Sequence, residues 1–143
     1  MLPLSPESVA FELFYRPDLH MLVVRWLRPN SFLELQTSYE QLLTLARQHY
    51  CAYWLLDARR VGPLDLEATL WLTDHFFPRA ASHLAPYTLR MAVLSSPFRY
   101  SQMLTDASVA PEVARALSTA QPYEASVFLD EHAALNWLHP PHS

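Results

Sequence analysis

Short apolar runs alternate with longer stripes of helical spacing along most of this chain, and that alternation leaves few folds open to it. Cys51 to Leu56 is apolar without interruption, as a strand covered on both faces must be. Leu89 to Leu94 and Tyr123 to Leu129 read as further strands. Before the first of them, Phe32, Leu35, Tyr39, Leu42, Leu43 and Ala46 recur at helical spacing down to about His49. Ser31-Phe32-Leu33-Glu34 opens that stripe with a capping-box pattern, serine and glutamate each satisfying a free N–H. Asp65 suits the N-cap of a second helix running to about Phe77, where Pro78 breaks or kinks the pattern. Residues 98–110 carry the weakest pattern, with a short helix around Tyr100 to Leu104. Pro111 fits the first turn of a helix to about Thr119, and Asp130 caps a closing helix with Ala133, Ala134, Trp137 and Leu138 inward.

The chain starts differently. Val9, Phe11, Leu13 and Tyr15 alternate with Ala10, Glu12 and Phe14, the period of two of a half-buried strand. Pro17-Asp18 is turn chemistry, and His20 to Leu27 returns as a second strand. The expected fold class is therefore α/β, a mixed, largely parallel sheet of about five strands that starts with an antiparallel hairpin, with helices packed on it. The 143 residues suit a single domain, 1–143, with its core at about 8–138 and a tail, 139–143, that frays. Hydrophobic residues at 51% and charged residues at 17% describe a packed globule.

A net charge of −4 gives no footprint for nucleic acid, and no apolar run is long enough to span a membrane. MLPLSPES lacks the basic and apolar regions of a signal peptide, and Cys51 is the lone cysteine; the expectation is a cytoplasmic chain. Gly62 is the one glycine and lysine is absent. Phosphate-cradling loops and dinucleotide fingerprints need several glycines, and Schiff-base chemistry needs an amine, so these classes are excluded. No cofactor is expected. The histidines show no zinc-ligand spacing, so no metal is expected either.

The stretch WLLDARRVGPLDLEATLWL, residues 54–72, resembles the STAS or SpoIIAA-like family, whose namesakes are bacterial anti-sigma-factor antagonists. In that family a buried strand ends in aspartate, and a short loop leads to a second aspartate and a phosphorylatable hydroxyl opening a helix. Asp57 and Asp65 match the two aspartates; Leu66 stands where the hydroxyl belongs, so the resemblance implies a member without the phosphoserine switch. FLDEHAALNWL, residues 128–138, is similar to the closing helix of a divergent STAS/SEC14-like branch. The likeness runs from about residue 8 to 138 and implies a regulatory domain acting on an unidentified protein partner.

Ligands of open sheets settle beyond the carboxyl ends of parallel strands. Asp57, Arg59, Arg60 and Asp65 follow one such strand, and Ser95, Ser96 and Arg99 follow the next. Arginines and hydroxyls beside a helix start suit a small anion. The plainer alternative is that Asp57 pairs with an arginine and Asp65 merely caps its helix. Trp71 and Phe77 lie about 120° apart on a helix, so one core-facing stripe does not easily bury both, which points to a homodimer contact there. No residue is assigned a catalytic role. The expectation is a non-catalytic binding or regulatory domain; the alternatives are a small-molecule carrier or sensor, for an anion or an apolar ligand, and, more remotely, an enzyme using Asp57 and Asp65 as acid and base.

Overall fold

The computed structural model describes residues 9–139, so the MLPLSPES segment up to residue 8 and tail residues 140–143 lie outside the described residues. His139, expected to fray with the tail, packs its ring against Tyr53, centroids 4.8 Å apart. Strands β1 (Phe11–Arg16) and β2 (Met21–Trp26) form the antiparallel hairpin. Strands β3 (Tyr53–Asp57), β4 (Arg90–Leu94) and β5 (Glu124–Phe128) follow in parallel, giving a five-stranded sheet in the order β1-β2-β3-β4-β5.

That order decides where the helices go. The strands advance in one direction across the sheet, so right-handed crossovers carry their helices to one face. Helix α1 (Phe32–His49) joins β2 to β3, α2 (Leu66–Trp71) and α3 (Phe77–Leu84) join β3 to β4, and α4 (Pro97–Thr105) and α5 (Ala110–Ala116) join β4 to β5. Helix α6 (Glu131–Leu138) closes the chain and covers the other face, against β3, β4 and β5.

Strand residues divide between these faces with a period of two. Leu22, Val24, Trp26, Trp54, Leu56 and Met91 join the larger core, under α1 and α3. Met21, Val23, Leu55, Ala92 and Leu94 join Ala134 and Leu138 in the smaller core under α6. The capping box forms as its residues predict. Ser31 Oγ accepts from the Glu34 N–H at 3.1 Å, and the Glu34 carboxylate accepts from the Ser31 N–H at 2.9 Å. Arg28 holds that carboxylate at 2.8 Å and draws its pKa down to about 2.

The helix after Asp65 departs from expectation. It does not break at Pro78 but runs to Leu84, through a π-helical turn at Leu72–Phe76 where the Phe77 N–H bonds the Leu72 carbonyl. Proline lacks an N–H and its ring crowds the carbonyl four residues back. The wider turn just ahead of Pro78 takes up that misfit. It also brings residues five apart onto one face, so Trp71 and Phe76 stack with centroids 5.3 Å apart. Phe77 is 8% exposed and packs against Tyr39 and Tyr123; Trp71 packs against Phe32, Tyr39 and Phe76. Phe77 is thus buried within the chain, while Trp71 is partly buried against the same core, so the reason for expecting both at a subunit contact holds for neither as a fully exposed ring. A regular α-helix presents one stripe; the π turn widens it.

Candidate functional site

The residues singled out beyond the strand ends do not meet in one place. They divide between the two faces of the sheet.

Asp57 ends β3 beside Arg25 of β2, its register partner, and both side chains point to the α6 face. Asp57 Oδ2 accepts from Arg25 Nη1 at 2.7 Å and from Arg59 Nη2 at 2.8 Å. Its Oδ1 accepts from Arg59 Nε at 2.9 Å and from the Arg59 N–H at 3.2 Å. Glu131, in the first turn of α6, takes a second bond from Arg25 Nη1 at 2.8 Å and lies 3.7 Å from Arg59. Burial opposes ionisation of Asp57, yet the hydrogen bonds from Arg59 and Arg25 outweigh it and hold the carboxyl below its usual value. Two cations and two anions thus neutralise each other. Arg60 lines the shallow hollow beside them. Asp57 as half of an acid–base pair with Asp65 finds no support in this geometry: Asp65 is exposed and caps α2, its Oδ2 accepting from the Ala68 N–H at 2.9 Å. Leu66 opens α2 with its side chain 39% exposed, and the Thr69 hydroxyl donates to the Asp65 carbonyl at 2.9 Å.

Ser95 is buried and donates to the Ser96 carbonyl at 3.0 Å. Ser96 is the N-cap of α4, accepting from the Arg99 N–H at 3.2 Å. Both serines therefore serve the chain path.

Arg99 stands apart. It rises from the first turn of α4 into a cavity between α1, α2 and the loop at 58–65. Arg99 Nη1 donates to the Gly62 carbonyl at 2.7 Å, and Gln102, one turn on, bonds Leu64 through both its amide N–H, at 3.3 Å, and its amide oxygen, at 2.7 Å. Gly62 turns that loop with φ +81°, a conformation side-chain-bearing residues rarely adopt. Among the described residues no carboxylate pairs with Arg99, and its Nε is buried with no hydrogen-bond partner. Desolvation lowers its pKa to about 10, so it remains a cation at neutral pH.

The cavity has two chambers that share part of their lining. The outer, of about 360 Å³, is walled by Ser31, Phe32 and Leu35 at the start of α1 and by Val61, Pro63 and Asp65 from the loop. The inner, of about 110 Å³, lies on the sheet face between Leu56, Met91, Val93, Phe77, Met103 and Val113. Trp26, Tyr39, Ala58, Leu64, Thr69, Leu72 and Arg99 border both. Among the described residues Arg99 is the sole charged one lining the inner chamber; Asp65 joins it only in the outer one. Tyr39 is 5% exposed, burial pushes its hydroxyl's pKa up, and that hydroxyl makes no hydrogen bond to a described residue. Asn30, bordering the outer chamber, leaves a buried Oδ1 without a donor. Buried polar groups ordinarily find partners, and here two without one, Arg99 Nε and Asn30 Oδ1, belong to residues lining the same cavity.

Arg99 and Asp65 were legible as candidates; Tyr39 and Asn30 were not, one reading as a stripe residue and the other as a strand breaker. Cys51 is buried, its thiol facing the carbonyls of His20 and Tyr53, and burial raises its pKa, the setting of an inert thiol. Among the described residues no group of His, Cys, Asp and Glu gathers as a metal set, and no helix is long and apolar enough to cross a membrane.

Compared with known proteins, the chain matches no family model, no curated protein and no solved structure. The STAS-like resemblance accordingly stands on the residues quoted for it and carries no site.

Proposed function

We propose that this chain is a binding domain without a reaction of its own, and that it holds a small molecule in the two-chambered cavity between the sheet and α1, α2 and α4. The observation that carries this reading is Arg99: a cation largely withdrawn from water, with no anion to meet it, beside an unbonded phenol and an unbonded amide oxygen. A chain that needed only a packed core gains nothing by burying such a charge. A concave, mainly apolar cavity with a few convergent polar groups is the usual form of a ligand site. Among the described residues lining the cavity no nucleophile pairs with an adjacent base, which favours retention over chemistry. Acting as a carrier or as a sensor in the reducing interior of a cell, it would need no cofactor.

A second reading, docking to a protein partner or a second copy, has its own support. Phe98 at 64% and Leu104 at 66% exposure stand on the outer side of α4, the helix that carries Arg99. Occupancy of the cavity and the shape of that surface would then be coupled through one helix.

Native mass spectrometry of freshly purified protein tests the main reading. A released small molecule, lost in a variant with the inner chamber filled by Ala58→Leu, is the expected result. An empty protein whose melting temperature no member of a small-molecule library raises would refute it.

A further inference from the structure

The ligand reading leaves the chemistry of the ligand open, and the cavity's shape and charge narrow it. We infer that the site takes a monocarboxylate with a compact aromatic or branched apolar tail, its carboxylate on Arg99 and its tail in the inner chamber. The inference rests on the reading above.

Charge comes first. Of the residues that line the two chambers, only Arg99 and Asp65 are charged, and Asp65 is committed to the N-cap of α2. Arg99 lines both chambers. Nη1 is engaged by the Gly62 carbonyl, whereas Nε carries a buried proton with no acceptor. A guanidinium is planar and offers its N–H groups as a fork that matches the two oxygens of a carboxylate. Tyr39 lines both chambers as well, and its hydroxyl, with no hydrogen-bond partner among the described residues, is a further donor. Burial keeps that phenol protonated, so it donates to an anion instead of repelling it.

Size comes second. The inner chamber of about 110 Å³ approaches the roughly 150 Å³ of an engineered apolar cavity that binds benzene. Its walls are mainly apolar, the Thr69 and Thr73 hydroxyls being bonded to backbone carbonyls, and methionines such as Met91 and Met103 adapt to a range of ring shapes. A long acyl chain overfills it; a single ring or a short branched chain fits. A phosphate monoester carries more charge, and a sulfate monoester more oxygens, than one arginine and one phenol satisfy, which favours the carboxylate.

Titration calorimetry with 3-phenylpropanoate and its neutral isostere 3-phenylpropanol tests this on the intact chain. The expected result is binding of the acid with at least about thirtyfold preference over the alcohol, the fold-change appropriate to a charged hydrogen bond in a desolvated site. Arg99→Met should abolish the preference by weakening the acid alone. Since that comparison needs a folded variant, the preference in the wild-type chain is the primary readout. Equal binding of acid and alcohol would overturn the carboxylate assignment while leaving the cavity reading in place. Binding of neither at millimolar concentration would overturn both.

Discussion

An arginine is partly withdrawn from water on each face of this sheet, Arg25 on one and Arg99 on the other, and the two faces treat it in opposite ways. Under α6, Arg25 and Arg59 converge on Asp57 and Glu131, and both oxygens of Asp57 are occupied. Under α1, α2 and α4, Arg99 finds one backbone carbonyl and no anion among the described residues. A closed ion cluster tells how strand ends and the closing helix are tied together. An arginine left without its anion tells what the fold leaves room for. Charge at a strand end is thus no guide to function by itself; whether its partners are supplied from within the chain is the guide.

Removing the acid from the closed cluster is the most damaging way to probe this contrast. Asp57→Ala leaves Arg59 without its fork partner and Arg25 dependent on Glu131, and should cost about 2–3 kcal/mol in chemical denaturation. The same group sets an acid limit. Its folded pKa is depressed, so its contribution is present above the unfolded value of 3.8 and is lost as pH falls through the folded value. Wild-type stability measured between pH 5 and 2 should fall more steeply than that of Asp57→Asn. Parallel curves would show that the cluster adds nothing.

Gly62→Ala should cost about 1–2 kcal/mol, because a side chain at φ +81° is strained while the added carbon meets nothing closer than Pro29 Cγ at 3.8 Å. It should also weaken ligand binding, since the carbonyl that steadies Arg99 belongs to that residue. A stability loss with unaltered binding would detach the loop from the site. The smallest effect is expected at Arg60, which lines only the hollow beside the closed cluster. Arg60→Ala should change stability by less than about 0.5 kcal/mol and leave 3-phenylpropanoate affinity unchanged. Loss of binding there would return the site to the strand-end loop.

Much of the fold was legible in local pattern. Alternation located the hairpin, apolar runs located β3, β4 and β5, and Ser31, Asp65 and Asp130 each cap the helix they were expected to cap. The last helix before β5 is shorter than its pattern, ending at Ala116 and not near Thr119, while the weakly patterned stretch holds α4 from Pro97. The π turn was illegible, because it resolves a conflict between Pro78 and the core that no window of residues displays. The partners of Asp57 left a faint signal: Arg25 is the one charge in the otherwise buried run MLVVRW. Arg99 was singled out for following a strand, and its true setting depends on residues from α1 and the 58–65 loop that only the packed sheet brings near. Tyr39 gave no signal, since a tyrosine on a core stripe reads the same whether its hydroxyl is bonded or idle.

Arg99→Met most directly tests the claim that this arginine is kept for a ligand and not for the fold. Exchanging a partly buried cation without an anion for an apolar side chain of similar length should alter stability by no more than about 1 kcal/mol, loss of the Gly62 bond being offset by relief of desolvation. Thermal melts of wild type, Asp57→Ala and Arg99→Met should be recorded with and without 3-phenylpropanoate at a hundred times its wild-type Kd, a concentration that adds about 2.7 kcal/mol to a protein that binds it. The account predicts that ligand raises the melting temperature of wild type and of the weakened Asp57→Ala chain, and leaves that of Arg99→Met where it was. An Arg99→Met chain that melts far below wild type, yet gains as much from the ligand, would contradict it.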